Sequence, residues 1–375
     1  MAIKITKIDD LTAVDESGTL YDIKSDVRGM NEKMWLCKRN GEHKDSFMIK
    51  FSTRKPGTLS DLNLYNEVIC SKICEQLELD HVKYEFCEFQ DLDGTTKNGV
   101  VSQNYKEDPN WVEINGRGVH ESYGLILYDN NFGVVPKVEK NTVYAYIEQL
   151  KVRFESRKMT MSPETESKLT DELLTLSLFD FCTCQIDRHW GNVGWIHNNT
   201  FDDAKFKIKL VPIYDNECSF LLDEATEESL RKLLTNINTP KRVQMAIDTV
   251  NSKRYNSPYL GIRTSLVREK EDRKGFLVPK SYDERNISNA KIFASEIAHE
   301  ICTRPKIKQV YDKFANFDMN QFLAELDIIP EELDSLKEVY SFVWNTRMNL
   351  LQQAMENYKN SQKGDTQNES GLSSF

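Results

Sequence analysis

The stretch that decides the fold is QIDRHWGN at residues 185–192, directly after the apolar run LLTLSLFDFCTC at 173–184. Within eight residues it holds a carboxylate, a guanidinium, an imidazole, an indole and an amide. Burying a charged group is costly unless the charge is paired or used. The stretch is therefore either a solvated loop or the centre of a reaction, and the flanking sequence decides between the two.

The segment after this stretch predicts a β-hairpin. VGWI at 193–196 has the composition of a short strand, and KFKIKLVPIYD at 205–215 begins with strict apolar–polar alternation. An antiparallel hairpin brings its two outer ends together. We therefore expect Asn192 and Asp215 to lie side by side, with Asp187 one turn upstream. The Asp-x4-Asn spacing by itself indicates nothing, because other pairs in the chain share it.

These three side chains have the chemistry of a phosphoryl-transfer site. Amide and carboxylate oxygens suit a hard divalent cation such as Mg²⁺, which commonly takes its other ligands from water and substrate phosphate. We therefore expect Asn192 and Asp215 to be metal ligands. Asp187 would then orient or deprotonate a hydroxyl group, which is the remaining part that phosphoryl transfer needs.

The rest of the chain predicts an α+β fold in two lobes. Residues 1–105 form a small antiparallel β-rich N-lobe with one helix, 106–358 form a larger, mainly helical C-lobe, and 359–375 form a polar, disordered tail. The predicted strands are 2–9, 19–25, 33–38, 46–51, 81–89 and 98–105. The predicted helices are 61–79, 141–158, 163–184, 225–237, 289–302 and 330–358.

A lysine in the N-lobe fits the same chemistry. SFMIKFS places Lys50 in an otherwise apolar strand, and Glu67 follows on the predicted helix. A strand lysine paired with a helix glutamate is the arrangement by which protein kinases hold the α- and β-phosphates of ATP. The alternative is that Lys50 is a solvated edge-strand residue and Glu67 an ordinary surface glutamate.

A glycine turn precedes the neighbouring strand. SDVRGMNEKMW at 25–35 offers Gly29, Asn31 and Lys33 as a phosphate loop, because glycine permits a close backbone approach and backbone N–H groups can cradle phosphate. The stretch lacks the G-x-G-x-x-G pattern. A plain glycine turn is therefore an equally good interpretation.

Four further residues are assigned from their positions. In the extended segment VVSQNY, residues two apart face the same way, so the backbones of Ser102 and Asn104 are expected to address the purine edge of ATP. His189 is expected to brace its loop by hydrogen bonds to backbone carbonyls, with a role as base or metal ligand as the alternative. Arg188 is a candidate to pair with a carboxylate.

Composition excludes several classes of function. The net charge is −10, which argues against binding nucleic acid mainly through phosphate neutralisation. No run approaches the roughly 18 apolar residues of a membrane helix, and the N-terminus lacks the apolar core of a signal peptide, so we expect a cytoplasmic protein, with secretion that needs no signal peptide as the open alternative. Its eight cysteines are expected to be free thiols, without metal-binding spacing. Oligomeric state is left open.

With these motifs in place, the sequence resembles the HipA-like serine/threonine kinases of the protein-kinase-like and phosphoinositide-kinase superfamily, in a compact stand-alone form. The family pattern is Asp-x-His-x-x-Asn followed by a strand that ends in Tyr-Asp. Asp187, His189, Asn192 and Asp215 match it position by position. GMNEK resembles the family's phosphate loop and MIKF its lysine strand. The resemblance spans most of residues 1–355.

The resemblance implies an ATP- and Mg²⁺-dependent kinase that phosphorylates protein serine or threonine, often including itself. Asp187 would be the catalytic base, Asn192 and Asp215 the Mg²⁺ ligands, and Lys50 the clamp on the α- and β-phosphates. Two alternatives stay open. DRH is also the phosphoinositide-kinase form of the motif, so the acceptor could be a lipid or small molecule. The chain could also be a non-catalytic module that binds nucleotide or a partner.

Overall fold

The structure is a computed structural model that describes residues 2–26, 32–52, 61–106, 110–115, 118–119, 143–188, 192–198, 200, 206–222, 227–252, 269–271, 277–279, 288–329 and 334–372. Its contacts divide the chain into two compact units. The first comprises Met1–Ile114 and Asn192–Lys232, and the second comprises Asn115–Gly191 and Leu233–Phe375. The lobes expected from the sequence, 1–105 and 106–358, stay a prediction.

Seven strands of the first unit close into a barrel. They are β1 (Ile3–Asp9), β2 (Thr12–Asp15), β3 (Leu20–Asp26), β4 (Lys33–Lys38), β5 (Ser46–Phe51), β6 (Tyr84–Gln90) and β7 (Thr96–Gln103). The order is β1-β2-β3-β4-β5-β7-β6, and β6 closes the barrel by pairing in parallel with β1, where Ile3 lies opposite Cys87. The α+β prediction of a small antiparallel N-lobe sheet is therefore wrong, because the sheet is a closed barrel with one parallel pair.

The physical reason for this correction is that alternation shows which strands are half-buried but not which strands pair. The β1–β6 pair joins segments from opposite ends of the region, and β2 is only four residues long, too short to be predicted from alternation. Closing the sheet removes both exposed edges. It also encloses a core of buried side chains: Ile5, Ala13, Tyr21, Leu36, Ile49, Phe51, Cys87, Phe89 and Val101.

Helix α1 (Leu62–Gln76) is the helix predicted between the strands, and it packs against β6 and β7. Its buried residues lie around most of its circumference rather than along one stripe. Polar residues among them have partners: the Ser71 hydroxyl accepts a hydrogen bond from the backbone N–H of Tyr84 at 3.1 Å. The helix is therefore held in the interior of the first unit and not only against its surface.

The hairpin predicted after residue 192 is confirmed. Strands β9 (Gly194–Asn198) and β10 (Ile208–Leu210) pair antiparallel, with Leu210 opposite Trp195, and join β8 (Trp111–Asn115) in a three-stranded sheet. After β10 the chain runs beside the residues that precede β6. There the Ile213 N–H donates to the Asp80 carbonyl at 3.0 Å, and the Ile213 carbonyl accepts from Val82 at 2.9 Å.

The described residues contain nine α-helices, most of them in the second unit. After α1 they are α2 (Val143–Glu155), α3 (Pro163–Cys182), α4 (Glu227–Ile237), α5 (Val243–Ser252), α6 (Ser288–Thr303), α7 (Pro305–Ala315), α8 (Met319–Glu325) and α9 (Ser335–Leu372), with a small ribbon of β11 (Glu269–Glu271) and β12 (Leu277–Pro279). Among the described residues, none of these helices is long and apolar enough to traverse a bilayer.

Two helix ends bear on the sequence predictions: the start of α3 agrees with them, and the end of α9 differs from them. Helix α3 begins at Pro163, after Ser162, whose hydroxyl caps the helix by accepting from the Thr165 N–H at 3.2 Å. Helix α9 continues to Leu372, so residues 359–372 are helical where composition predicted a disordered tail. The polar sequence lowers the gain from burial, but helix can propagate from a packed segment at little cost per residue.

Candidate active site

Lys50 lies at the centre of the candidate site. Ile49 and Phe51 line the barrel core, so Lys50 between them points to the outer face of β5, where α1 supplies Glu67. The Lys50 Nζ contacts Glu67 Oε1 at 2.7 Å, Asp215 Oδ1 at 2.5 Å and Glu217 Oε2 at 3.0 Å. The predicted Lys50–Glu67 pair is therefore present and buried, and the solvated-edge interpretation of Lys50 does not describe this structure.

The cluster holds three carboxylates around one ammonium group. Burial lowers the pKa of Lys50, but the charges of Asp215, Glu67 and Glu217 raise it by more, so its pKa stands well above the ordinary lysine value. Burial also raises the pKa of Glu67; Lys50 lowers it in part and the neighbouring carboxylates raise it again, to about 7. One ammonium therefore faces more carboxylate charge than it can neutralise, and a further cation would be bound favourably here.

Three carboxylates of the cluster fit a hard divalent cation. Oxygens of Glu67, Asp215 and Glu217 lie within 4.8 Å of one another, and all three are ligands of the type that Mg²⁺ prefers. Glu217 was not predicted from the sequence. Its signal was present, because in the segment YDNE it stands two residues after Asp215.

Asn192 lies in the same unit, two residues before the start of β9, and is almost fully buried. The hairpin holds this end of β9 against the segment that leads to Asp215, because the Val211 N–H donates to the Gly194 carbonyl at 2.8 Å. Its role as a metal ligand, like the roles of the other site residues, stays a prediction.

Asp187 belongs to the second unit, in the loop that follows α3. The loop is tied back to the helix: the Gln185 N–H donates to the Asp180 carbonyl at 2.9 Å, and the Gln185 side chain accepts from the Asp187 N–H at 2.9 Å. Arg188, predicted as a candidate for pairing with a carboxylate, is fully buried and donates to both oxygens of Asp180. Asp187 is therefore half-buried between Gln185 and Arg188, which both hydrogen-bond to Asp180.

The buried pair explains the charged end of the apolar run. Burial raises the pKa of Asp180, while the charge and hydrogen bonds of Arg188 lower it in part. Asp180 is the acid inside LLTLSLFDFCTC, and its partner is supplied by the stretch that follows. The Asp180–Arg188 pair therefore links the end of the apolar helix to the loop that follows it.

The remaining predicted residues are placed as follows. Lys33 is the direct cross-strand partner of Lys50 on β4, and such partners share a face of the sheet. Ser102 is buried in β7 between Met48 of β5 and Tyr84 of β6. The Asn104 N–H donates to the Ser46 carbonyl at 3.0 Å, so this donor is used within the protein. Their nucleotide-binding roles stay predictions. Gly29, Asn31 and His189 lie outside the described residues.

No family model and no curated protein sequence matches the chain. Among solved structures it is similar to the proinflammatory kinase CtkA of Helicobacter pylori, with 12% identity and a TM-score of 0.55, over 89% of this chain and 96% of CtkA. A choline kinase of Cryptosporidium parvum Iowa II is 10% identical over 91% of this chain and 90% of that one, but its TM-score of 0.24 is too low to indicate a shared fold. The chain therefore has a kinase-like fold.

Proposed function

We propose that the chain is a HipA-like kinase that transfers the γ-phosphoryl group of ATP to a serine or threonine hydroxyl of a protein, including its own. The observation that carries this proposal is the cluster around Lys50. A buried strand lysine is held by a helix glutamate, and the carboxylates of Asp215 and Glu217 stand beside it. These are the parts with which a kinase binds the phosphates of ATP and their metal.

Lys50 would bind the α- and β-phosphates of ATP. Its raised pKa keeps it protonated across the physiological range, and phosphate oxygens would replace Asp215 and Glu217 as its partners. Asp215, together with Asn192, would hold Mg²⁺, which when bound neutralises negative charge on the phosphates. Lys33, the cross-strand partner of Lys50, would add a second positive charge for the phosphates.

Asp187 would accept the proton of the acceptor hydroxyl. The hydroxyl oxygen forms a bond to the γ-phosphorus, the bond from that phosphorus to the bridging oxygen of ADP breaks, and the proton passes to the Asp187 carboxylate. Gln185 bonds the Asp187 N–H and Arg188 bonds Asp180, so the backbone that carries the Asp187 carboxylate is held in place before the substrate binds.

The test is mass spectrometry of purified protein after incubation with Mg-ATP. Wild-type protein is expected to acquire phosphate on serine or threonine, while Asp187→Asn and Asp215→Asn lose most of the label, since the first removes the proposed base and the second a proposed metal ligand. Asp10→Asn is the matched control, because Asp10 is almost fully exposed and distant in sequence from the motifs.

Three other outcomes would redirect the proposal. Labelling that survives in both Asp187→Asn and Asp215→Asn would contradict the mechanism. Phosphate that appears on inositol lipid or a small alcohol, and never on protein, would favour the lipid- or small-molecule-kinase alternative. Nucleotide binding without any turnover would favour a non-catalytic module.

A further inference from the structure

Asn66 is a buried amide directly beside Glu67 on α1. It has no exposed surface, and its Nδ2 donates to the Glu217 carbonyl at 2.8 Å and to the Ser219 carbonyl at 3.0 Å. Both carbonyls belong to the segment that follows Asp215. A residue of the helix that supports Lys50 therefore holds the backbone on which Asp215 is carried.

The segment 215–222 needs such support because its backbone is strained. Asp215, Phe220 and Leu221 have φ values of 58°, 58° and 66°, in the left-handed region that residues with a Cβ rarely adopt. Strained residues persist only where their surroundings fix them. The neighbouring residue of α1 adds a third contact, since the Asn216 N–H donates to Glu67 Oε2 at 2.8 Å.

We infer that Asn66 is a positioning residue for Asp215. Its two N–H groups fix the carbonyls of Glu217 and Ser219 on α1, and so fix the turn that aims the Asp215 carboxylate at Lys50. The metal-binding part of this inference rests on the proposed function, in which Asp215 is a Mg²⁺ ligand. The backbone part does not, because it concerns only contacts within the first unit.

The positioning role can be separated from a general role in stability. Asn66→Leu keeps the size of the side chain and removes both donors. Asn63→Leu is the matched control: Asn63 lies one turn earlier on the same helix, is also buried, and bonds the Ser52 hydroxyl rather than the segment after Asp215. Asn66→Ser keeps one donor and is expected to give an intermediate result.

Hydrogen–deuterium exchange of the full chain without ligand tests the backbone part. In Asn66→Leu, amides of residues 216–222 are expected to exchange at least tenfold faster than in wild type, while β1–β4 exchange as before. Asn63→Leu should leave residues 216–222 unchanged. Unchanged exchange in Asn66→Leu, or equal acceleration throughout the barrel, would overturn the inference. If Asn66→Leu does not fold, the same comparison is read from Asn66→Ser.

Titration with Mn²⁺ in the presence of ADP, followed by electron paramagnetic resonance, tests the metal part. Loss of a partner that orients a metal ligand typically weakens binding about 10–100-fold, and Asn66→Leu is expected to show this loss. ADP binding in EDTA should be unchanged in both variants. Mn²⁺ affinity equal to wild type, or an equal loss of ADP binding in EDTA, would overturn the inference. If wild-type protein binds no Mn²⁺, the proposed function fails, and hydrogen exchange still decides the role of Asn66.

Discussion

Replacing Arg188 by methionine is expected to destabilise the second unit by about 3–5 kcal/mol, because it leaves the buried carboxylate of Asp180 without its partner. This range is typical of a buried ion pair that loses one partner, and the Asp180–Arg188 geometry is of that kind. Arg188 Nε lies 3.0 Å from Asp180 Oδ2 and Nη2 lies 2.9 Å from Oδ1, and neither side chain is more than 1% exposed. Water therefore cannot replace the guanidinium without opening the core around α3.

The penalty in Arg188→Met is expected to depend on pH, because the Asp180 carboxyl left without its partner titrates. In wild type the pKa of Asp180 is already raised by burial, and without Arg188 it rises further. An acid whose pKa is raised by folding contributes most below its unfolded pKa, and this contribution is lost as pH rises through the folded pKa. Arg188→Met should therefore be less destabilised at pH 5 than at pH 8.

The assay is the thermal midpoint of the full chain at pH 5 and pH 8. A loss of about 3–5 kcal/mol corresponds to a fall in the thermal midpoint of about 6–20 °C for a unit of roughly 150–250 residues. The double variant Asp180→Leu/Arg188→Met should recover most of this, since a packed apolar pair can replace a buried ion pair. Arg39→Met is the control, because the Arg39–Asp22 pair is about half exposed and its loss should cost about 1 kcal/mol or less. A midpoint for Arg188→Met within 2 °C of wild type at pH 8 would refute the reasoning, as would equal penalties at the two pH values.

Two further predictions concern the surroundings of Lys50. Folding raises the pKa of Glu67 to about 7, so the stabilising contribution of this residue is present below the ordinary glutamate pKa and is lost as pH rises through 7. Relative to Glu67→Gln, the free energy of unfolding of the wild type is expected to fall by on the order of 3 kcal/mol between pH 4.5 and pH 8. Urea unfolding of both proteins measures this, and parallel pH profiles would contradict it. Gly99 allows β7 to approach β5, because a Cβ at this position would lie 2.9 Å from the Lys50 carbonyl oxygen. Gly99→Ala is therefore expected to lower the free energy of unfolding by about 1–3 kcal/mol and to weaken nucleotide binding. Gly94→Ala is the control for backbone strain alone, because Gly94 has a φ of 84° and a Cβ there would contact nothing. Equal stability of Gly99→Ala and Gly94→Ala would contradict the role of close approach.

The parts of the site that could be predicted are those set by local register. In the apolar strand SFMIKF the two-residue period places Lys50 on the face opposite Ile49 and Phe51, and this face is where the structure places α1 and Glu67. Alternation in the hairpin likewise predicts the pairing of β9 with β10. In each case the information lies within a few residues, because a strand has a period of two.

The parts that could not be predicted depend on contacts between distant segments. The parallel pairing of β1 with β6, which closes the barrel, leaves no mark on either strand alone. Glu217 joins the cluster only because the turn after Asp215 brings its carboxylate to within 3.0 Å of Lys50. The hydrogen bonds of Asn66 to that turn depend on the same packing of α1. Such side chains look like ordinary polar residues until the fold places them.

The two compact units divide the proposed chemistry between them. Lys50, Glu67, Asp215 and Glu217 all belong to the first unit, so the cluster proposed to bind phosphate and metal is made, among the described residues, from that unit. Asp187 belongs to the second unit, where its loop is fixed by Asp180 and Arg188. The contacts described above for the Lys50 cluster join residues of the first unit, and those described for Asp187 join residues of the second. We therefore expect that damage to one set leaves the other set intact. A variant that loosens the Asp180–Arg188 pair is therefore expected to bind ADP and Mn²⁺ like wild type while it loses phosphoryl transfer, and a variant that disturbs the Lys50 cluster is expected to lose both.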